Sequence, residues 1–377
     1  MQTMYHFSAP GRTEVGGNHT DHQHGCVLAG AVNLETVAEV SLNGTHVICV
    51  ASEGYDPVAV DLDDLTVRED EKNTTAALIR GVAAAFAQRG AKLQGFDAKV
   101  RSTVLPGSGL SSSAAFEVLM GTILNELFFE KRLSPVEIAQ IGQWAENVYF
   151  GKPCGLMDQT ASSVGGMVFI DFADPAEPVV EQIDFDFASA VHALCIIDSG
   201  ADHADLTDEY AAIPGELKAL CALFGKEVLR DIPETEFFAR LPEIRHQVPD
   251  RAILRAIHFY QENKRVLCQA AALKANDFDA FLQLVKESGR SSWMYLQNIT
   301  PAGYVEHQEV ALALALCDTL LGDRGAYRVH GGGFAGTVQA FVPLDMLDDF
   351  KSGIEEVLGA GICHVLSIRP EGGIRVR

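Results

Sequence analysis

Two strand-rich segments enclose one long helix-rich segment, and this order excludes a regular repeat of strand and helix. Residues 205–321 of the 377-residue chain follow mainly a helical period. Strands return in YRVH (327–330) and TVQAFVP (337–343), with a helix near 346–358. Segregated strands and helices indicate an α+β fold with two lobes. We place the boundary so that residues 1–195 form the N-terminal domain and residues 196–377 the C-terminal domain.

Local signals within the first segment predict particular elements. Asn43 and Gly44 separate two β-rich runs in residues 36–51, and this dipeptide predicts a β-hairpin. Residues 76–90 have the spacing of a helix, and 96–105 alternate like a half-buried strand. The sequence from Ser134 to Glu137 predicts a capping box that begins another helix.

Composition and charge exclude several classes of protein. The chain is 47% hydrophobic but contains no apolar run long enough for a membrane span and no secretory leader, so we expect a cytoplasmic protein. Its formal charge of −22 opposes binding to nucleic acid or to an anionic membrane surface. The eight cysteines are scattered singly, which is typical of reduced thiols.

Two glycine-rich stretches are candidates for binding an anion. LPGSGLSSSAAFEV (105–118) runs directly into an apolar helix, whose free N–H groups would face a bound anion. GGGFAG (331–336) lies between strands and lets the backbone pass close to a phosphate or to another loop. Without a ligand, the first stretch could instead be a turn that caps the helix, and the second a hairpin connection between two strands. Together the two stretches suggest a polyphosphate ligand.

Two carboxylates lie near predicted helix ends in the segment that follows. Asp158, in GKPCGLMDQTASS, could orient or deprotonate a hydroxyl group, or could simply cap a helical turn. Glu146 lies in the last part of the preceding helix, where its charge opposes the helix dipole. That placement suggests a cation as its partner.

Four stretches in order resemble the signature sequences of galactokinases within the GHMP family of small-molecule kinases. They are APGRTEVGGNHTDHQHG, LPGSGLSSSAAFEV, KPCGLMDQ and GGGFAG. The segments DSGADHADLTDEY, LFGKEVLRDI and RAIHFYQENKRV are similar as well, so the resemblance extends over nearly the whole chain. It implies a two-lobed GHMP kinase fold, with a mixed N-terminal sheet domain, a helix-rich C-terminal α/β domain and ATP between them.

The resemblance also implies roles for individual residues. Ser113 and Glu146 match positions that hold Mg²⁺. Asp158 matches the catalytic base, and Arg12 matches a cation near the reacting hydroxyl that would lower the aspartate pKa. The phosphates of ATP would be bound by Pro106, Gly107, Ser108, Gly109, Leu110, Ser111, Ser112 and Ser113.

The implied reaction is transfer of the γ-phosphoryl group of ATP to the C1 hydroxyl of a hexose, galactose or a close relative. The products would be a sugar 1-phosphate and ADP, and the implied partners are only the sugar and ATP, with the chain acting as a monomer. Sugar contacts are implied for Asn18, His19, Asp21, Gly155 and Tyr210.

The chain departs from the family pattern at several positions. The usual GRVNLIGEHTDYNGG reads GRTEVGGNHTDHQHG here, so Asn18 replaces a glutamate that contacts the outer sugar hydroxyls, notably that on C6. We therefore expect a substrate that differs at C6 or varies there, such as a uronic acid. The TTAALIRG stretch lacks the tryptophan usually found near adenine, and Ala335 replaces a glycine.

Other functions are compatible with parts of the sequence. A zinc site could be composed of His19, His22, His24 and Cys26. The spacing of these residues, however, matches no recognised tetrahedral zinc site. A galactokinase-like sensor that binds sugar and ATP without turnover would be expected to lose the phosphate loop or the base, and neither is lost. Kinases of mevalonate or homoserine share only the phosphate loop.

Overall fold

The protein is described by a computed structural model for residues 3–104, 109–152, 154–187, 189–200, 206–334 and 336–376. It divides into two compact units, of which the first combines residues 1–12, 30–166 and 368–377. The second combines residues 13–29 and 167–367. Both units are discontinuous, whereas the sequence-based division places one cut at residue 195. The difference arises because the C-terminal strand pairs with the N-terminal strand of the chain.

The strands form two main sheets. In chain order they are β1 (Tyr5–Gly16), β2 (Cys26–Leu42), β3 (Val47–Ser52), β4 (Val58–Asp61), β5 (Phe96–Ser102), β6 (Met167–Asp171), β7 (Val179–Ile183), β8 (His192–Asp198), β9 (Ala326–His330), β10 (Thr337–Pro343), β11 (Cys363–Leu366) and β12 (Ile374–Val376). The first unit has the strand order β12-β1-β2-β5-β3-β4. The second unit has an antiparallel sheet of order β11-β8-β10-β9 and the antiparallel pair β6-β7.

The predicted hairpin at Asn43-Gly44 is wrong. Gly44 does occupy the turn with a φ of 70°, but β2 and β3 are not neighbours. Strand β5 lies between them, antiparallel to β2 and parallel to β3. The alternating residues of β5 bury Phe96, Ala98 and Val100, and this burial favours the central position over an edge.

Ten helices are present in the described residues: α1 (Thr75–Gln88), α2 (Ser112–Phe128), α3 (Pro135–Ala145), α4 (Met157–Val164), α5 (Thr207–Ala222), α6 (Glu234–Ile244), α7 (Asp250–Lys274), α8 (Phe278–Ser291), α9 (Glu309–Leu321) and α10 (Leu347–Leu358). The capping box is confirmed, since Ser134 accepts from the N–H of Glu137 and the Glu137 side chain accepts from the N–H of Ser134. Helix α3 continues as a π-helical turn over Glu146–Phe150. No helix in the described ranges has the length and apolarity to cross a membrane.

Each unit has its own hydrophobic core. In the first, helices α1, α2 and α3 bury apolar side chains against the sheet, including Phe7, Phe86 and Phe96 at 0% exposure. In the second, helices α9 and α10 pack on the four-stranded sheet, and α5, α6 and α7 form a separate helical core. Full burial of one such large apolar side chain contributes roughly 1.5–3 kcal/mol. These cores hold the loops that carry the candidate site residues.

Candidate active site

The described part of the glycine- and serine-rich loop leads into α2 with an unusual backbone. Ser111 has a φ of 57° and does not cap the helix with its side chain. The first N–H groups of α2 therefore receive no cap from the Ser111 side chain, and free N–H groups at a helix start are the feature by which such ends bind anions. Gly109 and Leu110 are described, with Ser112 and Ser113 in the first turn of α2. The predicted loop residues Pro106, Gly107 and Ser108 lie outside the described residues.

Arg12 on β1 joins this loop to Asp158 on α4. Its Nε donates to Oδ1 of Asp158 at 2.7 Å and its Nη2 to Oδ2 at 2.7 Å, so the pair is bidentate. Nη1 of Arg12 donates to the carbonyl of Gly109, and the Arg12 N–H donates to the carbonyl of Leu110 at 3.0 Å. Gly11 permits this approach, because a Cβ there would lie 3.0 Å from the Leu110 carbonyl oxygen.

The environment of Asp158 keeps its carboxyl group ionised. Burial raises its pKa, but the charge and hydrogen bonds of Arg12, a hydrogen bond from Ser111 and the charge of Lys152 outweigh that effect. The pKa of Asp158 is consequently below its ordinary value, in the direction expected from the sequence. The residue also lies in the first turn of α4, where a helix dipole favours negative charge.

A pair of buried carboxylates lies beside this arrangement. Glu117 on α2 is 1% exposed and Glu146 is 4% exposed. The Nε2 of Gln159 donates to Oε2 of each at 3.0 Å, and Lys152 approaches Glu146 at 3.8 Å. Burial, followed by the charge of Glu146, raises the pKa of Glu117 well above its ordinary value. A buried like-charged pair of this kind requires a proton or a cation.

A cavity of about 490 Å³ opens beside the start of α2. Its volume lies within the range of small-molecule sites. Aromatic and aliphatic side chains form much of its wall, together with polar groups from β3, β5 and α2. The lining residues are Thr36, Ser52, Glu53, Tyr55, Thr75, Leu78, Val100, Ser102, Val104, Ser112, Ser113, Phe116 and Phe150.

In the second unit, Asn18 is completely buried and its amide is bonded within the protein. Its Nδ2 donates to Glu14 Oε1 at 3.1 Å and to the carbonyl of Gly331 at 2.7 Å. Its Oδ1 accepts from Ser292 at 3.2 Å and from Asn298 at 2.9 Å. The side chain thus fixes the loop in which it lies.

His19, the next residue, has a φ of 57° and is half-buried. Its Nε2 donates to the carbonyl of Gly332 at 3.0 Å, because a carbonyl can only accept. Burial is the main cause that lowers the His19 pKa to about 4. Nε2 therefore carries the proton at neutral pH, and Nδ1 has the lone pair of a hydrogen-bond acceptor.

The described residues of the GGGFAG stretch pack against other loops of the second unit. Tyr210 on α5 donates from its hydroxyl to the carbonyl of Gly333 at 2.8 Å. A Cβ on Gly332 would lie 2.7 Å from the Tyr210 ring. Of the two explanations for these glycines, the structure supports close approach to another loop. Ala335 lies outside the described residues.

Helix α7 presents buried polar side chains to residues 16–26. His258 Nε2 donates to the carbonyl of Asn18 at 2.9 Å, and Glu262 accepts from the N–H of Gly17 at 3.1 Å. Glu262 also accepts from Ser288 at 2.6 Å and from Arg265. Burial raises the pKa of Glu262, but nearby positive charge outweighs it and brings the pKa down to about 2. A permanently ionised carboxylate therefore holds the loop.

The remaining predicted site residues, Asp21 and Gly155, are half-buried. Asp21 begins a short 3₁₀ turn and accepts from the N–H of His22 at 2.9 Å. His22 is exposed, and the described part of the chain contains no group of three or more histidines, cysteines or acids able to hold a metal. Gly155 of the first unit precedes α4 by two residues. The zinc set therefore gains no support from the described residues.

Several polar residues were missed from the sequence. They are Glu14, Glu117, Gln159, His258, Glu262 and Arg328, and each is at most 4% exposed. One signal was available for α7: His258 and Glu262 are four residues apart, so they lie on the same face of the helix, where apolar residues such as Phe259 and Val266 are also buried. Glu14 gave no such signal, because its partner Arg328 is distant in sequence.

Comparisons with known proteins identify the family of the chain. Residues 77–166 match the family described as GHMP kinases N terminal domain, and residues 2–42 match the galactokinase galactose-binding signature. A galactokinase of Streptomyces coelicolor is 32% identical over 359 residues, which cover 94% of this chain and 88% of that protein.

Solved structures share the fold. A Lactococcus lactis galactokinase complexed with galactose superposes with a TM-score of 0.83 at 24% identity, covering 99% of this chain and 95% of that one. The Methanococcus jannaschii mevalonate kinase gives 0.69 at 12% identity, covering 98% of each chain. The GHMP kinase fold expected from the sequence is therefore confirmed. On the sequence match over nearly its whole length, the chain belongs to the galactokinase family of GHMP sugar kinases.

Proposed function

We propose that the protein transfers the γ-phosphoryl group of ATP to the C1 hydroxyl of galactose or a close galactose-type hexose, giving the sugar 1-phosphate and ADP. The observation that carries the proposal is the bidentate Arg12–Asp158 pair, which is tied to the loop before α2 through the Gly109 carbonyl. This pair holds an ionised carboxylate beside the segment that is proposed to bind phosphate.

Asp158 orients the hydroxyl of the acceptor and receives its proton. Because its pKa is lowered, Asp158 is a weak base, and proton transfer follows substantial bond formation to phosphorus. Such timing suits phosphoryl transfer, in which positioning and charge stabilisation provide most of the catalysis. Arg12 sets the plane of the carboxylate and offsets the negative charge that develops on the transferred group.

The nucleotide is proposed to bind along the start of α2. The first N–H groups of that helix would contact phosphate oxygens, and the cavity lined by Tyr55, Phe116 and Phe150 has the size and apolar wall that suit a base. These three rings would supply the aromatic surface that the missing tryptophan does not.

Ser113 and Glu146 are proposed to hold Mg²⁺. The fit is supported by the oxygen-only donor set and by Oε1 of the adjacent Glu117, a buried carboxylate oxygen without a hydrogen-bond partner among the described residues. When bound, the ion would supply positive charge that neutralises the phosphate oxygens.

The residues proposed to contact the sugar are His19, Asp21, Tyr210 and Gly155. His19 would accept a hydrogen bond at Nδ1 from a sugar hydroxyl. Since the Asn18 amide is bonded to four protein groups, we propose that Asn18 influences substrate choice through the position of His19. A uronic acid substrate stays the second candidate, on the basis of Asn18 alone.

A coupled ADP-release assay over galactose, galacturonate, glucuronate, glucose, arabinose and galactosamine tests the proposal, with phosphorus NMR to identify an anomeric phosphate. We expect turnover of at least one galactose-type sugar and a large loss in D158N. ATP binding without turnover of any sugar would contradict the proposal and favour a sensor. A product phosphorylated at another hydroxyl would contradict the C1 assignment.

A further inference from the structure

Glu117 is a buried acid in the first unit to which the proposed reaction gives no role. It lies on α2 four residues after Ser113, so the two side chains share one face of the helix. Its side chain packs towards α3 and α4. Glu117 is thus placed one helical turn beyond a proposed Mg²⁺ ligand.

The hydrogen bonds around Glu117 leave oxygen atoms unsatisfied. One donor, Nε2 of Gln159, serves both Glu117 and Glu146. Oε1 of Glu117 and Oε1 of Gln159 have no hydrogen-bond partner within the described ranges, and Glu117 forms no ion pair there. Gln159 itself is 0% exposed. Two buried carboxylate oxygens therefore share one neutral donor group.

The packing around Glu117 reserves space for its carboxylate. Gly142 on α3 faces it, and a Cβ at position 142 would lie 3.0 Å from Oε2 of Glu117 and 3.2 Å from Cγ of Gln159. With any other residue at position 142, both groups would have to shift by a few tenths of an ångström. The small residue keeps the acid pair and the amide together.

We propose that Glu117 is a second acidic residue of the divalent-cation site and binds the cation together with Glu146. Hard divalent cations take oxygen ligands, and a bound cation would compensate two buried carboxylates at once. The inference rests on the proposed function only in assuming that Glu146 binds the cation.

Binding of Mn²⁺ to the full-length protein, measured by electron paramagnetic resonance with and without ADP, tests this inference without sugar or turnover. E117Q keeps the size of the side chain and removes its charge. E126Q is the matched control, since Glu126 lies on the same helix, is largely buried as well and already has a cationic partner in Lys131. We expect the Kd for Mn²⁺ to rise at least tenfold in E117Q and to stay within twofold in E126Q.

Thermal unfolding of the metal-free proteins separates ligation from a purely structural role. We expect the Tm of E117Q to equal or exceed that of the wild type, because the amide is neutral and needs neither a proton nor a cation beside Glu146. An unchanged Kd in E117Q, or no Mn²⁺ binding by the wild type, would overturn the inference. If E117Q fails to fold, E117D is the variant to measure, because its shorter side chain moves the carboxylate away by one methylene group. An unchanged Kd for Mn²⁺ in E117D would likewise overturn the inference.

The two proposals can fail separately. If the protein phosphorylates a sugar but its affinity for Mn²⁺ does not depend on Glu117, only the proposed metal role of Glu117 is contradicted. If Mn²⁺ binding depends on Glu117 but no sugar is turned over, only the proposed reaction is contradicted.

Discussion

Arg12 donates two parallel hydrogen bonds of 2.7 Å to the carboxylate of Asp158, and its third nitrogen donates to the carbonyl of Gly109. The side chain of Arg12 is almost fully buried, whereas that of Asp158 keeps 29% exposure. The guanidinium is therefore fixed, and the carboxylate has one open side from which an acceptor hydroxyl could approach.

Replacing Arg12 by lysine should impair catalysis more than stability. A lysine cannot form the planar bidentate contact, so Asp158 would lose its orientation. We expect kcat/KM in R12K to fall on the order of 10²-fold, as when one fixed donor is removed. R324K is the matched control, because Arg324 makes a similar contact with Asp345 on the surface. Equal kinetics for R12K and R324K would contradict the role of the pair.

The pH dependence of kcat/KM should report the lowered pKa of Asp158. With a folded-state pKa below its ordinary value, the carboxylate stays ionised, and the enzyme active, until the pH falls below that value. In R12Q the guanidinium charge is absent, so the pKa should rise. We expect the acidic limb of the profile to move to higher pH in R12Q. If the acidic limb lies at the same pH in the wild type and in R12Q, a group other than Asp158 controls it.

Much of the fold could be predicted because its signals are local. The capping box at Ser134 and the helical period of α7 depend on neighbours within a few residues. The place of β5 between β2 and β3 depends on contacts between distant segments, which a turn dipeptide cannot report. The pairing of β12 with β1 is a contact between the two chain ends and gave no local signal.

The candidate site shows the same division. Asp158 and Arg12 were recognisable because each lies within a motif. The environment of Asn18 could not be recognised in this way, because its partners Ser292, Asn298 and Gly331 are 274, 280 and 313 residues away in the sequence. A sequence pattern could show that Asn18 replaces a glutamate, but not that the amide is saturated with hydrogen bonds.

The cavity beside α2 predicts that Tyr55 contributes to nucleotide binding. Tyr55 is 68% exposed, so its removal should have little effect on folding. Stacking of a base on an aromatic ring contributes roughly 1–3 kcal/mol. We expect Y55A to raise the KM for ATP about fivefold or more without changing the KM for sugar. Y304A, an exposed tyrosine of the second unit, is the control, and an unchanged KM for ATP in Y55A would exclude the stacking.

Asn18 should not tolerate a negative charge, because Glu14 lies 3.1 Å away and both side chains are buried. An unpaired buried charge costs about 3–5 kcal/mol. We expect N18D to lower the free energy of unfolding by about 3 kcal/mol in urea, and E14Q/N18D to recover at least about 1 kcal/mol through the coupling of the pair. N276D, an exposed position after α7, is the control. Additive effects of E14Q and N18D would show that the two residues are not coupled.

Glu262 gives a prediction in which stability and pH are linked. Its folded-state pKa of about 2 is below the ordinary value, so its stabilisation is complete above the ordinary value and is lost as the pH falls through about 2. We expect E262Q to be less stable than the wild type by about 3 kcal/mol at pH 7, with the difference shrinking from about pH 5 downwards.

The control for E262Q is E287Q, because Glu287 is exposed and also pairs with Arg265, at 3.8 Å. E262Q should in addition raise the KM for sugar, since Glu262 holds the N–H of Gly17 two residues before His19. The KM for ATP should stay unchanged, because the nucleotide is proposed to bind to the other unit. A stability difference that is independent of pH would mean that packing, and not the charge of Glu262, holds the loop.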